Sequence, residues 1–510
     1  MNDLQLTDSD LQQVKNEGLT VEAIQEHLRK FIRGTTPVTL VRPCTPGDGI
    51  ECPSAAARRQ WIENYDALAD TLKVVKFVPA SGAATRMFKN WFGLIHGEER
   101  NQAEALRQTG ESIKKYPFIQ DLEEKIRAQN ADIDQWLQNG EIKKILETIL
   151  LEQGLNYGQA PKALIKFHLY HDTARTPLEE HLAEAAGYGR ARGNISRVHV
   201  TVSAEFLGQV AAHLEKIIPE YERKYGTTYQ VELSIQKPAT NTIAVDPENR
   251  PFRDEEGKLL FRPGGHGALL ENLADIDADL IFIKNIDNVS QERIQGSGQS
   301  SKKMLAGLLL TVRERIFSFL TSLAAGNVTA ERLREMYEYC GQTLHLDLPA
   351  DLLSSPRQEQ AEILFTAMNR PLRVCGMVKN TGEPGGGPFW VKDGKERVSL
   401  QIIEQFQIDS SVPEQMKIWS SSTHFNPVDL VCGVKDFQGN TFNLKDFADQ
   451  QAVCITAKSE KGRSLKALEL PGLWNGSMAY WISIFADVPT ETFTPVKTVE
   501  DLLREEHLAG

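Results

Sequence analysis

"FVPASGAATRMFK", residues 77–89, decides the reading of this chain. A run of β-formers, residues 72–78, enters a turn of small residues, and residues able to start a helix leave it. That is the outline of a strand, a tight loop and a helix N-terminus. Such a terminus presents free backbone N–H groups and the positive pole of the helix dipole, which favours a bound anion such as a phosphate. The plain alternative is an ordinary strand-to-helix turn whose small residues serve packing. The thirteen residues alone leave both readings open.

Outward from this stretch, strand-like segments recur with helical patterns between them: "RVHVTVS" (197–203), "YQVELSIQ" (229–236) and "DLIFIKNID" (279–287). The alternation predicts an α/β sheet with ligands at the carboxyl ends of its strands, and Ser81, Gln236 and Asp287 lie at or just beyond such ends. Residues 1–70 read as an N-terminal helical attachment with a Pro/Gly-rich interruption. Residues 71–419 read as the main domain, with a helical insertion over about 90–158 and a second helical stretch over about 301–370. Residues 420–510 read as a smaller mixed region that completes the site.

The chain has 510 residues, a length that favours more than one domain, and its 41% hydrophobic and 25% charged residues are those of a globular protein. A net charge of −12 argues against a broad nucleic-acid face, so any polyanionic ligand must meet a local cluster of cations and amides. The start lacks a signal-peptide pattern, and "MLAGLLLTV" (304–312) is too short to span a bilayer, so the expected location is the cytoplasm, with no membrane partner. Cys44 and Cys52 flank a turn that a disulfide would close, but reduced thiols fit a cytoplasmic protein.

Other segments carry groups of chemical interest. "RPGGHGALLENL" (262–273) sets three glycines and His266 before a helix, either a close approach for a ligand or a loop with a capping histidine. Asp287 at the mouth of an apolar strand suits Mg²⁺, which takes one or two carboxylates plus substrate phosphates; the alternative is a turn or a cap. "VKNTGEPGGGPFWV" (378–391) reads as a lid or as a long hairpin. His168 and His171 in "FHLYHD" have a spacing that puts both on one helical face, but no third ligand accompanies them, which disfavours zinc. A complete Walker A motif and a GxSxG elbow are both absent.

Taken in order, these segments resemble the uridylyltransferases that join UTP to glucose 1-phosphate or N-acetylglucosamine 1-phosphate, in a divergent bacterial branch whose domain has no assigned function. "ASGAATRM" is similar to that family's small-Gly-Gly-x-Gly-Thr-Arg-Met loop, and "APKALIKFHLYHDTARTPLEEHL" (160–182) to its continuation, which makes Lys162 the signature lysine displaced by the insertion. Lys89 is the alternative. Gln236 and the loop Gly265, His266, Gly267 match pyrimidine and nucleotide contacts, Asp287 the metal-binding aspartate, and "THFNPVDL" the segment that gives Asn426. "FTPVKTVEDLL" resembles Arg-Phe-x-Pro-Val-Lys-Thr and gives Lys497.

The resemblance implies a glycosyltransferase-A-like Rossmannoid nucleotidyltransferase that uses Mg²⁺, an NTP, specifically UTP, and a sugar 1-phosphate, and releases pyrophosphate. It implies catalytic roles for Arg86, Lys162 and Lys497, and nucleotide contacts from Ser81, Gly82, Thr85, Gln236, Gly265, His266 and Gly267. Lys379 and Asn426 would contact the substrate, and Asp287 the metal. There are departures: Ser81 and Ala84 replace loop glycines, and Glu383 and Pro384 stand where relatives carry a lysine, a contact that Lys379 would take over. Two alternatives remain, a non-catalytic nucleotide or nucleotide-sugar binder and a glycosyltransferase on the same fold.

Overall fold

The computed structural model describes residues 6–97, 101–171, 173–326, 328–382, 385–394 and 396–508. Its contacts divide the chain into two units that interleave along the sequence. One, here the Asp287 unit, comprises Val74–Ile235, Ile283–Ser301 and Pro489–Gly510. The other, the His266 unit, comprises Met1–Lys73, Gln236–Phe282 and Lys302–Val488. The sequence reading divides the chain at 70 and 419, whereas here both units draw on segments far apart in the chain. Both units are α/β with mixed sheets.

In the Asp287 unit, Val74–Pro79 runs parallel to Ile195–Val202, which runs parallel to Thr228–Ile235. Val74, Val75, Phe77 and Val78 are all buried, so the strand is covered on both faces and reads as an apolar run interrupted by Lys76, which is buried as well. Helices Pro177–Tyr188 and Leu207–Tyr225 contribute Leu178, Leu182, Val210 and Leu214 to one core with Val78, Val198 and Val200. The first of these helices starts cleanly because Pro177 sits at its first turn and Thr176 and Glu179 form a capping box. Among the described residues, 89–150 carry five α-helices, from Lys89–His96 to Ile142–Leu150, around Trp91, Tyr116, Phe118, Ile145 and Ile149. Val496, Val499 and Leu502 of the last segment belong to this same core.

In the His266 unit, Thr45–Pro46, Gly49–Glu51, Ile482–Asp487 and Leu372–Lys379 are parallel in that order, and Asp429–Gly433 adds antiparallel to the last. A three-stranded antiparallel sheet joins Thr39–Pro43, Gly387–Lys392 and Val398–Ile403.

Several local expectations change. The Pro/Gly-rich interruption of the expected helical attachment forms short strands, Thr39–Pro43, Thr45–Pro46 and Gly49–Glu51. Gly387–Lys392 pairs antiparallel with the next strand, Val398–Ile403, so the end of the 378–391 stretch is one arm of a hairpin, whose other edge pairs with Thr39–Pro43. His168 lies in the two-residue strand His168–Leu169, and so shares no helical face with the exposed His171. Residues 304–312 lie inside helix Gln295–Ala324, and among the described residues no helix is long and apolar enough to cross a membrane.

Candidate functional site

The strand Val74–Pro79 ends at the loop that opened the sequence reading, and that loop differs from the expected helix N-terminus. A 3₁₀ turn, Ala84–Arg86, comes first, and the α-helix begins only at Lys89. The Ala84 N–H is not free for an anion, since it donates to the Ala160 carbonyl at 3.0 Å. Ala84 itself is buried in the helical core, which explains a methyl where the related loop carries glycine. Gly82 is the opposite case. It is exposed, and a Cβ built on it meets nothing within 4 Å, so the space over this backbone is open.

The helical excursion returns to the loop it left. Thr85 Oγ1 donates to the Gly158 carbonyl at 3.2 Å, Ala83 bridges Pro161, and the Lys162 N–H donates to the Gly82 carbonyl at 3.4 Å. These contacts set Lys162 beside the loop. On another side the Ile286 N–H donates to the Pro79 carbonyl at 3.4 Å, which brings the Asp287 loop to the end of the same strand. The last segment closes on both: Val496 N–H donates to Asp287 O and Val499 N–H to Met87 O, each at 3.0 Å.

The side chains meet at one carboxylate oxygen. Asp287 Oδ2 accepts from Lys162 Nζ at 2.9 Å and from Lys497 Nζ at 3.1 Å. Asp287 Oδ1 is buried and has no hydrogen-bond partner among the described residues. Burial works to raise the Asp287 pKa, but Lys162 and Lys497 together outweigh it and hold the carboxyl below its usual range. Burial lowers the Lys162 amine, with Asp287 opposing. Two amines face one carboxylate, so the centre has a surplus positive charge for an anionic ligand. Each ammonium has three N–H donors and spends one here, leaving two for phosphate oxygens. Ser81 is half-buried, while Thr85, Arg86 and Lys89 are exposed.

A single carboxylate with a free, buried oxygen fits a hard cation that takes its remaining ligands from waters and substrate phosphates. Among the described residues no group of three or more His, Cys, Asp or Glu could hold a metal by itself. The donor set therefore fits Mg²⁺ shared with a phosphate better than a resident ion in an all-protein cage.

The remaining expected residues belong to the His266 unit. The glycines before its helix serve packing: a Cβ on Gly267 would stand 2.2 Å from the Pro471 carbonyl oxygen, and one on Gly265 would stand 2.7 Å from Glu469 Oε2. The chain itself fills the space that the sequence reading assigned to a ligand. His266 does not cap a helix. Its ring stacks on Trp474 at 4.2 Å, its Nδ1 accepts from the Leu473 N–H at 3.0 Å, and burial lowers its pKa to about 4.

Glu404, whose carboxyl is pushed up by burial, lies 4.0 Å from His266 Nε2. It lines a cleft of about 420 Å³ with Asn380, Phe389, Trp419 and His424. Exposed Lys379 and buried Asn426 flank residues of that cleft in the chain, and the Asn426 N–H donates to the Gly386 carbonyl at 2.8 Å. Gln236 is half-buried. Glu383 and Pro384 lie outside the described residues. Asn288 was read only as part of a turn or cap with Asp287; its buried Oδ1 accepts from the Thr494 N–H at 3.0 Å and ties the Asp287 loop to the last segment. Its place next to Asp287 in "NIDN" was the available signal.

A family model described as "Domain of unknown function (DUF4301)" matches residues 7–508. The chain belongs to that family. No curated protein matches it. Among solved structures it is similar to a UDP-glucose pyrophosphorylase from Leishmania major, at 13% identity and a TM-score of 0.45, over 98% of this chain and 79% of that one. A uridine diphosphate N-acetylglucosamine pyrophosphorylase from Trypanosoma brucei gives 11% identity and a TM-score of 0.47, again over 98% and 79%. A UDP-glucose phosphorylase from Trypanosoma brucei gives 14%, 0.43, 98% and 80%.

Proposed function

We propose that this DUF4301 chain is a nucleotidyltransferase on a glycosyltransferase-A-like fold. A sugar 1-phosphate oxygen attacks the α-phosphate of an NTP, specifically UTP; the bond from the α-phosphorus to the bridging oxygen breaks, and pyrophosphate leaves. One observation carries the reading: Lys162 and Lys497 converge on Asp287 beside a loop whose glycine is open above. Phosphoryl chemistry of this kind needs alignment and charge neutralisation more than covalent help.

In this reading Lys162, Lys497 and Arg86 hold phosphate oxygens, and the Ser81, Gly82 and Thr85 backbone lets the triphosphate approach. Mg²⁺, held by Asp287 with waters and phosphate oxygens, supplies charge neutralisation on the phosphates. The setting is the cytoplasm, which agrees with six free thiols. The test is pyrophosphate release with Mg²⁺ across a panel of NTPs and sugar 1-phosphates. UTP with at least one sugar phosphate is the productive pair; silence of every pair rejects transfer.

A second reading, nucleotide binding without turnover, is favoured by the Ala84 N–H being spent on Ala160, which removes a donor from the loop. Calorimetry separates the two. Binding of UTP by a chain that turns over no substrate pair supports the binder.

A further inference from the structure

A second group of charges is buried in the Asp287 unit, on the chain that leads into Asp287. Helix Pro177–Tyr188 carries His181 and Glu184 three residues apart, and hence on one face. Glu184 Oε2 accepts from Lys76 Nζ at 2.9 Å and its Oε1 from Lys284 Nζ at 2.7 Å, and Lys76 also donates to the His181 carbonyl at 3.0 Å. The His181 ring is fully buried, with Nε2 3.2 Å from the Asn285 carbonyl oxygen and 3.3 Å from that of Ile286.

Carbonyls only accept, so the ring proton sits on Nε2. Burial first, and then the Lys76 charge, keep the imidazole neutral, and Nδ1 is an acceptor with no partner among the described residues. Buried ion pairs add little net stability over apolar residues of the same volume, so stability alone does not account for this arrangement. What it grips is Lys284, Asn285 and Ile286, the three residues immediately before Asp287.

We propose that His181 and Glu184 are positioning residues for Asp287: they fix residues 284–286 so that the Asp287 carboxylate stands between Lys162 and Lys497. Asn288 and the backbone of Asp287 are fixed from the other side by Thr494 and Val496. The catalytic consequence rests on the transferase reading; the geometric one does not.

The test compares His181→Phe, which keeps a planar ring but has no donor, with His181→Gln, whose amide presents an N–H at similar reach. In the ligand-free protein, amide hydrogen exchange over 285–288 accelerates in H181F and returns toward wild type in H181Q. In turnover, H181F lowers kcat on the order of 10–100-fold and raises the Mg²⁺ concentration needed for half the maximal rate, while H181Q recovers most of both. Should H181F not fold, H181N, whose amide is too short to reach the carbonyls, takes its place. Wild-type exchange over 285–288 in a folded donor-free variant overturns the proposal, and so does H181Q behaving like H181F. If the wild type releases no pyrophosphate at all, the transferase reading fails separately, and exchange alone decides the role of His181.

Discussion

Lys162 and Lys497 share one carboxylate oxygen yet sit in different surroundings, and that difference is measurable. The Lys497 side chain is 48% exposed and that of Lys162 is 14% exposed. An exposed ion pair contributes about 0–1 kcal/mol, so Lys497→Met leaves thermal unfolding close to wild type while turnover falls about 10²–10³-fold. Asp287→Asn is worse for the fold. It strands the buried Lys162 ammonium beside a neutral amide, so calorimetric melting of D287N falls below that of K497M, and its pyrophosphate release falls by at least as much. At this scale the sequence supplied residue types and their order: "PKALIKF" argued for Lys162 beside the loop, and the structure sets its amide 3.4 Å from the Gly82 carbonyl oxygen. It did not supply partners. Nothing in "ASGAATRM" shows that the Ala84 N–H is taken by Ala160, a residue more than seventy positions away, because such a bond leaves no local pattern.

Strands were legible where both faces are buried, since Val74–Pro79 and Leu280–Lys284 read as largely apolar runs, the first interrupted by Lys76 and the second ending in Lys284. His168–Leu169 was not, because two residues carry no period, and its histidine is held by distant groups: Nδ1 faces Glu180 at 3.0 Å and Nε2 faces His507 at 2.8 Å. The glycine loop at 264–267 was legible as a loop but not as a packed one, for the residues that fill it lie two hundred positions on. Gly267→Ala therefore destabilises by about 1–3 kcal/mol or more, read as a lowered denaturant midpoint, because the added methyl meets backbone and not a movable side chain. The same loop gives a pH dependence. His266 is lowered from 6.5 to about 4 by burial, so between those values the unfolded chain binds more protons than the folded one, and stability rises with pH. That contribution is complete above pH 6.5 and is lost as pH falls toward 4. Protonation also removes the Nδ1 lone pair that accepts from Leu473. Melting temperatures from pH 7.5 down to 4.5 decline in the wild type and decline less in His266→Gln; His27, also lowered to about 4 by burial, keeps part of the slope.

Over the whole molecule, the α/β class and the helical region that ends near residue 158 were visible in the sequence, because alternation and amphipathic periodicity are local. The interleaving of two units was not, because it depends on which distant segments share a core. The Asp287 unit needs Pro489–Gly510 twice over, for Lys497 at the site and for Val496, Val499 and Leu502 in the helical core. A chain stopped at Val488 is expected to lose pyrophosphate release entirely and to show faster amide exchange over residues 113–150, whereas a full-length K497M chain keeps wild-type protection there. Proteins fold from the N-terminal side as they emerge from the ribosome. Lys162 and Asp287 are therefore synthesised before Lys497, which arrives only with the segment made last of the three. On the transferase reading, a polypeptide released early, by a stall or a nonsense codon, would lack both Lys497 and the part of the helical core that Val496, Val499 and Leu502 supply, and so would not draw on the nucleotide pool.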